Sequence, residues 1–239
     1  GAIPGGASGN LEVVVRSELG DGARLYLEDA PGPRMAAMLT WSPPELHMAS
    51  FDADPAAEVV FVVDRSGSMA GAPLETAKRA LLAAVAGLPE GAMFNVCSFG
   101  SRHEALFPES VELDDATKAR ATAHIRGMQA NLGGTDVLSP LRAVSATRHR
   151  EGLPRTVLLV TDGRVQNTAA VLRHVADDHG ARGTRYFALG IGRSADPVLV
   201  RGIAHEGDGE ADMLPGNEGV EGRVVRLLER ALGAALAGV

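Results

Sequence analysis

Three short polar segments of the sequence carry oxygen-bearing side chains that could bind a metal ion. The first contributes Asp64, Ser66 and Ser68, the second contributes Thr135, and the third contributes Asp162. Carboxylates and hydroxyls are hard oxygen donors, which favour Mg²⁺ and disfavour metals that prefer thiolate or imidazole ligands. The sequence therefore predicts a site for a divalent cation, with Mg²⁺ as the expected ion and Mn²⁺ or Ca²⁺ as alternatives.

The composition of this donor set also indicates what the cation is for. Mg²⁺ prefers octahedral coordination and gives up its waters reluctantly. Three neutral hydroxyls and two acids neutralise its charge incompletely, so the ion keeps an attraction for one more anionic oxygen, supplied by water or by a partner's carboxylate. We therefore expect a metal-dependent binding site for a protein ligand with an acidic side chain.

The apolar pattern predicts the elements that position these residues. Nearly continuous apolar runs at 59–63, 92–99, 156–160 and 186–191 are typical of strands buried on both faces. Helical patterns are found at 73–88, 114–128, 137–148, 168–180 and 219–236. This alternation predicts an α/β fold, with a doubly wound, mostly parallel central sheet and helices on both faces. Such a sheet has its ligand crevice at the carboxyl ends of the strands, where the polar segments lie.

The N-terminal part of the chain has a different pattern. Residues 1–10 are rich in Gly and Ala and are expected to be a flexible lead-in. Residues 11–52 contain short apolar runs at 11–15, 23–27 and 34–41, separated by Gly- and Pro-containing turns, which predicts a β-rich appendage. Residues 53–239 are expected to form the main domain. Because the chain begins with Gly, we expect it to be part of a longer protein.

The polar segments resemble the metal-ion-dependent adhesion site of von Willebrand factor A domains. The resemblance rests on DxSxS at 64–68, on Thr135 and on Thr-Asp-Gly at 161–163, and it covers roughly residues 55–235. It implies that Ser66, Ser68 and Thr135 contact the metal and that Asp64 and Asp162 bind it directly or through water. Arg65, Gly67 and Met69 would shape the loop without ligating.

The resemblance also implies a function and a wider architecture. Members of this family mostly bind proteins and are not enzymes. FVVDRSGSM at 61–69 and NLGGTD at 131–136 look most similar to the branch of the inter-alpha-trypsin inhibitor heavy chains. In that branch the A domain commonly follows a β-rich VIT domain, so residues 11–52 would be the end of such a domain or a linker.

Several of these residues also have simpler interpretations. Ser66 or Ser68 could only cap the helix predicted from residue 73, and Asp136 is expected to cap the helix that follows it. The acidic run 205–212 lacks the spacing of an EF-hand loop and is expected to be a solvated loop before a late strand. Cys97 lies in an apolar run and is expected to be a buried, unreactive thiol.

Two other functional interpretations remain open. One is a metal-dependent phosphoester hydrolase with Asp64 as nucleophile, although Ser66 stands where a second acid is expected. The other is a structural subunit with a vestigial metal site. The sequence lacks the P-loop and the Gly-x-Ser-x-Gly motif of serine hydrolases, and no dinucleotide-binding glycine motif follows the first predicted parallel strand.

Composition excludes further classes of protein. The 239 residues carry a formal net charge of −7, and no Lys/Arg cluster indicates a nucleic-acid partner. No apolar stretch is long enough to span a membrane, and no signal peptide is visible. The sequence assigns neither a compartment nor an oligomeric state.

Overall fold

The computed structural model describes residues 22–30, 34–42, 57–148, 150, 152–163, 165, 167–216 and 218–232. The chain divides into two compact units, Gly1–Ala53 and Asp54–Val239. In the first unit, strands β1 (Gly22–Ala30) and β2 (Arg34–Ser42) pair as an antiparallel hairpin, which matches two of the predicted β segments. The predicted lead-in 1–10 and the predicted strand 11–15 lie outside the described residues.

The second unit alternates strands and helices. Its strands are β3 (Glu58–Asp64), β4 (Met93–Phe99), β5 (His103–Ala105), β6 (Val111–Glu112), β7 (Arg155–Thr161), β8 (Arg185–Ile191) and β9 (Ala211–Leu214). Its helices are α1 (Ala72–Gly87), α2 (Asp115–Gly127), α3 (Leu138–Ala146), α4 (Thr168–Arg182), α5 (Pro197–Glu206) and α6 (Val220–Leu232). No helix in the described part of the chain combines the length and the apolar character needed to cross a bilayer.

The strands of the second unit form one mixed sheet. Its order is β5-β4-β3-β7-β8-β9, and β6 also pairs with β4. The pairs among β3, β4, β7, β8 and β9 are parallel, whereas β5 and β6 run antiparallel to β4. From β3 the chain first adds β4 on one side and later returns to add β7 on the other. The ends of β3 and β7 therefore form the switch point at which an open α/β sheet has its ligand crevice.

The interior of the sheet is apolar on both faces. Strands β3, β4 and β7 have seven residues each, and every one of these residues is buried. This confirms the strands predicted at 59–63, 92–99 and 156–160. Side chains of a strand alternate between the faces. Accordingly Phe61 packs in a cluster with residues of α1, α2 and α6, while Val62 packs with residues of α3, α4 and α5. This confirms the doubly wound architecture.

The segment 205–212 differs from its prediction. It is not a single solvated loop, because His205 and Glu206 end α5, and Ala211 and Asp212 begin β9. Strand β9 lies at the edge of the sheet, where polar side chains are tolerated, so its sequence lacks the apolar run of an interior strand. Helix α5 was not predicted, although Asp196 accepts a hydrogen bond from the Val198 amide at its start.

Cys97 lies in β4 with only 3% of its surface exposed, as predicted. Burial raises the pKa of its thiol to about 11, and the nearby Glu104 carboxylate adds to the shift. At pH 8 a thiol with this pKa is about 0.1% thiolate, and the thiolate is the reactive form. Cys97 should therefore be unreactive in the native protein.

We expect a thiol reagent at pH 8 to label native Cys97 at least about a hundredfold more slowly than the same protein unfolded in urea. Ionisation alone accounts for this ratio, because an unperturbed thiol is roughly a quarter ionised at this pH. The measurement is the labelling rate with and without denaturant. Stoichiometric labelling of the native protein at the unfolded rate would contradict the expectation.

A buried ion pair joins the first residues of β3 and β7. Arg155 Nε lies 2.9 Å from Glu58 Oε2, and both side chains are buried. The guanidinium also donates to the carbonyl oxygens of Val144 and Arg148, near the end of α3. Glu58 Oε1 also accepts a 2.5 Å hydrogen bond from the Ser110 hydroxyl. The pair therefore links two central strands to α3 at the edge opposite the crevice.

Replacing Arg155 with Met should lower the free energy of unfolding by about 3–5 kcal/mol, because it leaves a buried carboxylate without its charge partner. Urea denaturation measures this loss. The double variant Arg155→Met/Glu58→Leu should recover much of it, since removing both charges removes the desolvation cost. Arg79→Met, which breaks the exposed pair with Glu221, is the control and should cost much less. Equal losses in the two single variants would refute the role of the buried pair.

Candidate metal centre

The central strands deliver two acidic segments to the crevice. The pairing of β3 with β7 matches Val63 with Val160, so the next residues, Asp64 and Thr161, lie side by side. Thr161 Oγ1 donates a 2.6 Å hydrogen bond to Asp64 Oδ2 and accepts one from the Gly163 amide at 3.0 Å. The strand register thus fixes one carboxylate oxygen at the base of the crevice.

The loop after β3 folds over the Asp64 carboxylate. Asp64 Oδ1 accepts a 2.8 Å hydrogen bond from the Ser66 amide, and Gly67–Met69 form one 3₁₀ turn. Ser66 Oγ lies 3.0 Å from Ser68 Oγ, and Ser68 Oγ donates to Asp162 Oδ1 at 2.8 Å. Four of the five predicted ligands therefore form one connected group.

The two serines do not cap helix α1. Gly71 occupies the N-cap position of that helix, and no side chain there bonds to its first turn. The alternative in which Ser66 or Ser68 only caps the helix predicted from residue 73 is therefore wrong. By contrast, Asp136 Oδ1 accepts a 3.2 Å hydrogen bond from the Ser139 amide in the first turn of α3, as expected, although the residue directly before this helix is Val137.

Thr135 reaches the same crevice from the loop before α3. That loop is tied to the first one, because the Gly67 amide donates to the Gly133 carbonyl at 2.8 Å. A Cβ added at Gly163 would lie 3.0 Å from Thr135 Cγ2 and 3.3 Å from Asp64 Oδ2. Thr135 and Asp64 thus flank Gly163, and a larger residue there would force one of them to move.

The structure therefore brings all five predicted residues to one edge of the sheet. Asp64, Ser66 and Asp162 are buried, Thr135 is half-buried and Ser68 is exposed. The carboxylates form the floor of the crevice, and two hydroxyls lie at its open side. Their role as metal ligands stays a prediction.

The distances between these oxygens suit a small octahedral cation. Around a metal with bonds of about 2.1 Å, neighbouring ligand oxygens lie about 3.0 Å apart. The Ser66–Ser68 and Ser68–Asp162 oxygen pairs, at 3.0 and 2.8 Å, have this spacing. A hydroxyl that now donates to a carboxylate can turn its proton outward and offer a lone pair to a cation.

The electrostatics of Asp64 also favour a cation. Burial raises the pKa of its carboxyl above the ordinary value, and the hydrogen bonds from Ser66 and Thr161 offset only part of this effect. A divalent cation next to the carboxylate would stabilise its charged form. In the described residues, no group of three or more His, Cys, Asp or Glu side chains is placed to hold a metal. A site at the crevice therefore depends on hydroxyls.

Sequence reasoning did not foresee the contact that holds Asp64. Thr161 was recognised as part of the Thr-Asp-Gly motif, but its bond to Asp64 depends on the register between strands 97 residues apart. It also did not foresee Ser101, whose hydroxyl accepts a 2.8 Å hydrogen bond from the Gly134 amide next to Thr135. Nothing in the local sequence signals either contact.

Comparison with known proteins identifies the family of this chain. Residues 57–213 match the family model of the von Willebrand factor type A domain. The human von Willebrand factor A domain-containing protein 5B1 is 36% identical over 182 residues, which are 76% of this chain and 15% of that protein. Rat protein 5A is 34% identical over 235 residues, 94% of this chain and 27% of its own length. The chain thus spans about a quarter or less of these relatives.

Solved structures share the fold at lower identity. A von Willebrand factor type A protein from Catenulispora acidiphila has a TM-score of 0.66 at 20% identity, covering 91% of this chain and 48% of its own. Proximal thread matrix protein 1 from the mussel byssus, with a zinc-occupied MIDAS motif, has a TM-score of 0.63 at 19% identity, covering 75% and 47%. The chain belongs to the von Willebrand factor type A domain family, whose members are metal-dependent protein-interaction modules.

Proposed function

We propose that this domain binds a partner protein through a divalent cation held by the five crevice residues, Asp64, Ser66, Ser68, Thr135 and Asp162. The observation that carries this proposal is the connected group of hydroxyl and carboxylate oxygens at the switch point of the sheet. Mg²⁺ is the proposed ion, with Mn²⁺ or Ca²⁺ as alternatives, because all donors are hard oxygens.

Each part of the crevice has a separate task in this proposal. The bonds from Thr161 and from the Ser66 amide hold both oxygens of Asp64, so this carboxylate does not need to reorient. Asp64 and Asp162 bring the negative charge, and Ser66, Ser68 and Thr135 add neutral donors. When bound, the cation supplies a positive charge that attracts an anionic oxygen. The exposed side, at Ser68 and Thr135, leaves room for a carboxylate of the partner.

We further propose that the domain is not an enzyme. Members of the family are in general adhesion or interaction modules. Ser66 stands where a hydrolase with Asp64 as nucleophile would need a second acid, and its hydroxyl is a weak acid and a weak base at neutral pH. Metal-dependent hydrolysis of a generic phosphoester that is lost in Asp64→Asn would contradict this proposal.

The architecture of the parent protein is also a proposal. We assign residues 53–239 to the A domain and residues 11–52 to the end of a VIT-type β-rich domain or to a linker. The match to rat protein 5A supports a shared arrangement, because its 235 aligned residues extend beyond the A domain. The antiparallel pair β1–β2 is compatible with a β-rich neighbour.

Removing one charge from the crevice should weaken metal binding far more than removing a neutral donor. We expect Asp64→Asn and Asp162→Asn to raise the dissociation constant for Mn²⁺ by more than about a hundredfold, since even residues that only orient ligands are worth about 10–100-fold. Thr135→Ala should cost about tenfold, because water can replace its hydroxyl. Calorimetric titration at constant pH measures these constants.

Asp136→Asn is the matched control for these titrations. Its carboxylate is next to Thr135 in the chain but caps α3, so its neutral variant should keep the wild-type affinity. Thermal melts in chelator verify that each variant is folded. If Asp64→Asn binds Mn²⁺ as tightly as the unchanged protein, the proposed site is wrong.

Partner binding should depend on the cation and on the same residues. We expect a set of proteins captured from a lysate with Mg²⁺ to be lost both with EDTA and with Asp64→Asn, and retained with Asp136→Asn. Quantitative mass spectrometry of the four captures measures this. Because the proposed contact is an anionic oxygen on the cation, free carboxylate at high concentration should compete. Capture that is equal with and without chelator would argue for an interaction elsewhere on the domain.

A further inference from the structure

Arg65 lies between two proposed ligands, Asp64 and Ser66, yet its side chain is committed to other partners. Only 7% of the residue is exposed. Its guanidinium donates to Glu104 Oε1 at 2.5 Å, to the Gln129 carbonyl oxygen at 2.9 Å and to Asn131 Oδ1 at 2.8 Å. Three separate donor atoms, Nε, Nη1 and Nη2, each have one acceptor.

Two of these acceptors belong to the segment that leads to Thr135, which we call the 129–135 loop. The backbone of Arg65 contacts the same loop, since its carbonyl accepts a 3.0 Å hydrogen bond from the Leu132 amide. The loop also packs closely on the end of β4, where a Cβ at Gly100 would lie 2.4 Å from the Leu132 carbonyl oxygen. Arg65 therefore forms three hydrogen bonds with the loop, to Gln129, Asn131 and Leu132, which are 64 to 67 residues away in sequence.

The 129–135 loop needs these hydrogen bonds to hold one conformation. Gly133 and Gly134 directly precede Thr135, and Gly133 adopts a φ of 83°. Glycines give a free loop many conformations, so fixing the Thr135 hydroxyl beside Asp64 costs conformational entropy. A planar guanidinium with several directed donors holds its acceptors in one arrangement better than a single bond can.

The charge of Arg65 would by itself oppose a cation in the crevice. Glu104, in β5, pairs with it at 2.5 Å and so offsets its positive charge. The pair thus acts as a neutral brace on the loop. The short antiparallel strand β5 thus contributes the charge partner of Arg65, although none of its residues is a proposed ligand.

We propose that Arg65 is a positioning residue for the metal site. With Glu104 as its charge partner, it holds the 129–135 loop so that the Thr135 hydroxyl is in place before a cation binds. This inference rests on the proposed function for its metal readout, whereas the ordering of the loop can be measured without metal.

The metal readout is a double-variant cycle with Mn²⁺ as the probe. If Arg65 acts through Thr135, Arg65→Met should weaken Mn²⁺ binding about fivefold and Thr135→Ala about tenfold. The double variant should then lose only about tenfold, whereas independent effects would multiply to about fiftyfold. Arg65→Lys keeps the charge but not the fork of donors, and it should not restore the affinity. A multiplicative loss, or full affinity in Arg65→Met, would overturn the proposal.

The metal-free readout is amide hydrogen exchange in the presence of a chelator. The Leu132 and Gly134 amides lie in the 129–135 loop and donate to acceptors outside it, the Arg65 carbonyl and the Ser101 hydroxyl. They should exchange at least about tenfold faster in Arg65→Met than in the unchanged protein, because a loop that is no longer held in place breaks these hydrogen bonds more often. Arg155→Met is the control, since it breaks a buried Arg–Glu pair at the other edge of the sheet and should leave the two amides unchanged relative to the rest of the domain.

Should Arg65→Met fail to fold, Asn131→Ala replaces it, because Asn131 is exposed and supplies one acceptor only. Unchanged exchange at the Leu132 and Gly134 amides in either variant would overturn the brace. Absence of Mn²⁺ binding by the unchanged protein would instead overturn the proposed function, and the exchange data would still decide the role of Arg65.

Discussion

The burial of one carboxylate sets the conditions for the rest of the crevice. Asp64 has no exposed surface, because it ends the central strand of the sheet with neighbouring strands on both sides. A buried charge is unfavourable unless hydrogen bonds or an opposite charge compensate for it. The Thr161 hydroxyl and the Ser66 amide satisfy its two oxygens. The raised pKa of Asp64 shows that this compensation is incomplete, and a cation would complete it.

Two Arg–Glu pairs lie at opposite ends of the sheet, one fully buried and one with an exposed glutamate. Arg155 and Glu58 join the first residues of β3 and β7 and contact the end of α3, so their pairing supports the scaffold. Arg65 and Glu104 lie at the other edge, and their partners belong to a loop of the proposed site. An Arg–Glu pair is therefore present at each end of the sheet. We expect substitution of Arg155 to affect mainly the stability of the fold, and substitution of Arg65 to affect mainly the proposed site.

The sequence predicted the parts of this domain that depend on local pattern. Continuous apolar runs located β3 and β7, and the placement of polar residues after them located Asp64 and Asp162 at one edge. It did not predict α5, although Asp196-Pro197 is a helix-start signal, or β5, whose three residues are all exposed. The partners of Arg65 could not be predicted either, because they are 39 to 66 residues away and depend on how two loops pack.

The position of β3 in the sheet has a consequence for how the chain acquires its structure. Strand β3 pairs with β4 on one side and with β7 on the other. Val63 pairs with Ser98 in β4, 35 residues later in the chain, and with Val160 in β7, 97 residues later. During synthesis, one edge of this highly apolar strand therefore lacks its partner until most of the domain has emerged. Unpaired apolar strands are prone to aggregate. We therefore expect nascent chains that end before β7 to be more prone to aggregate than chains that include it.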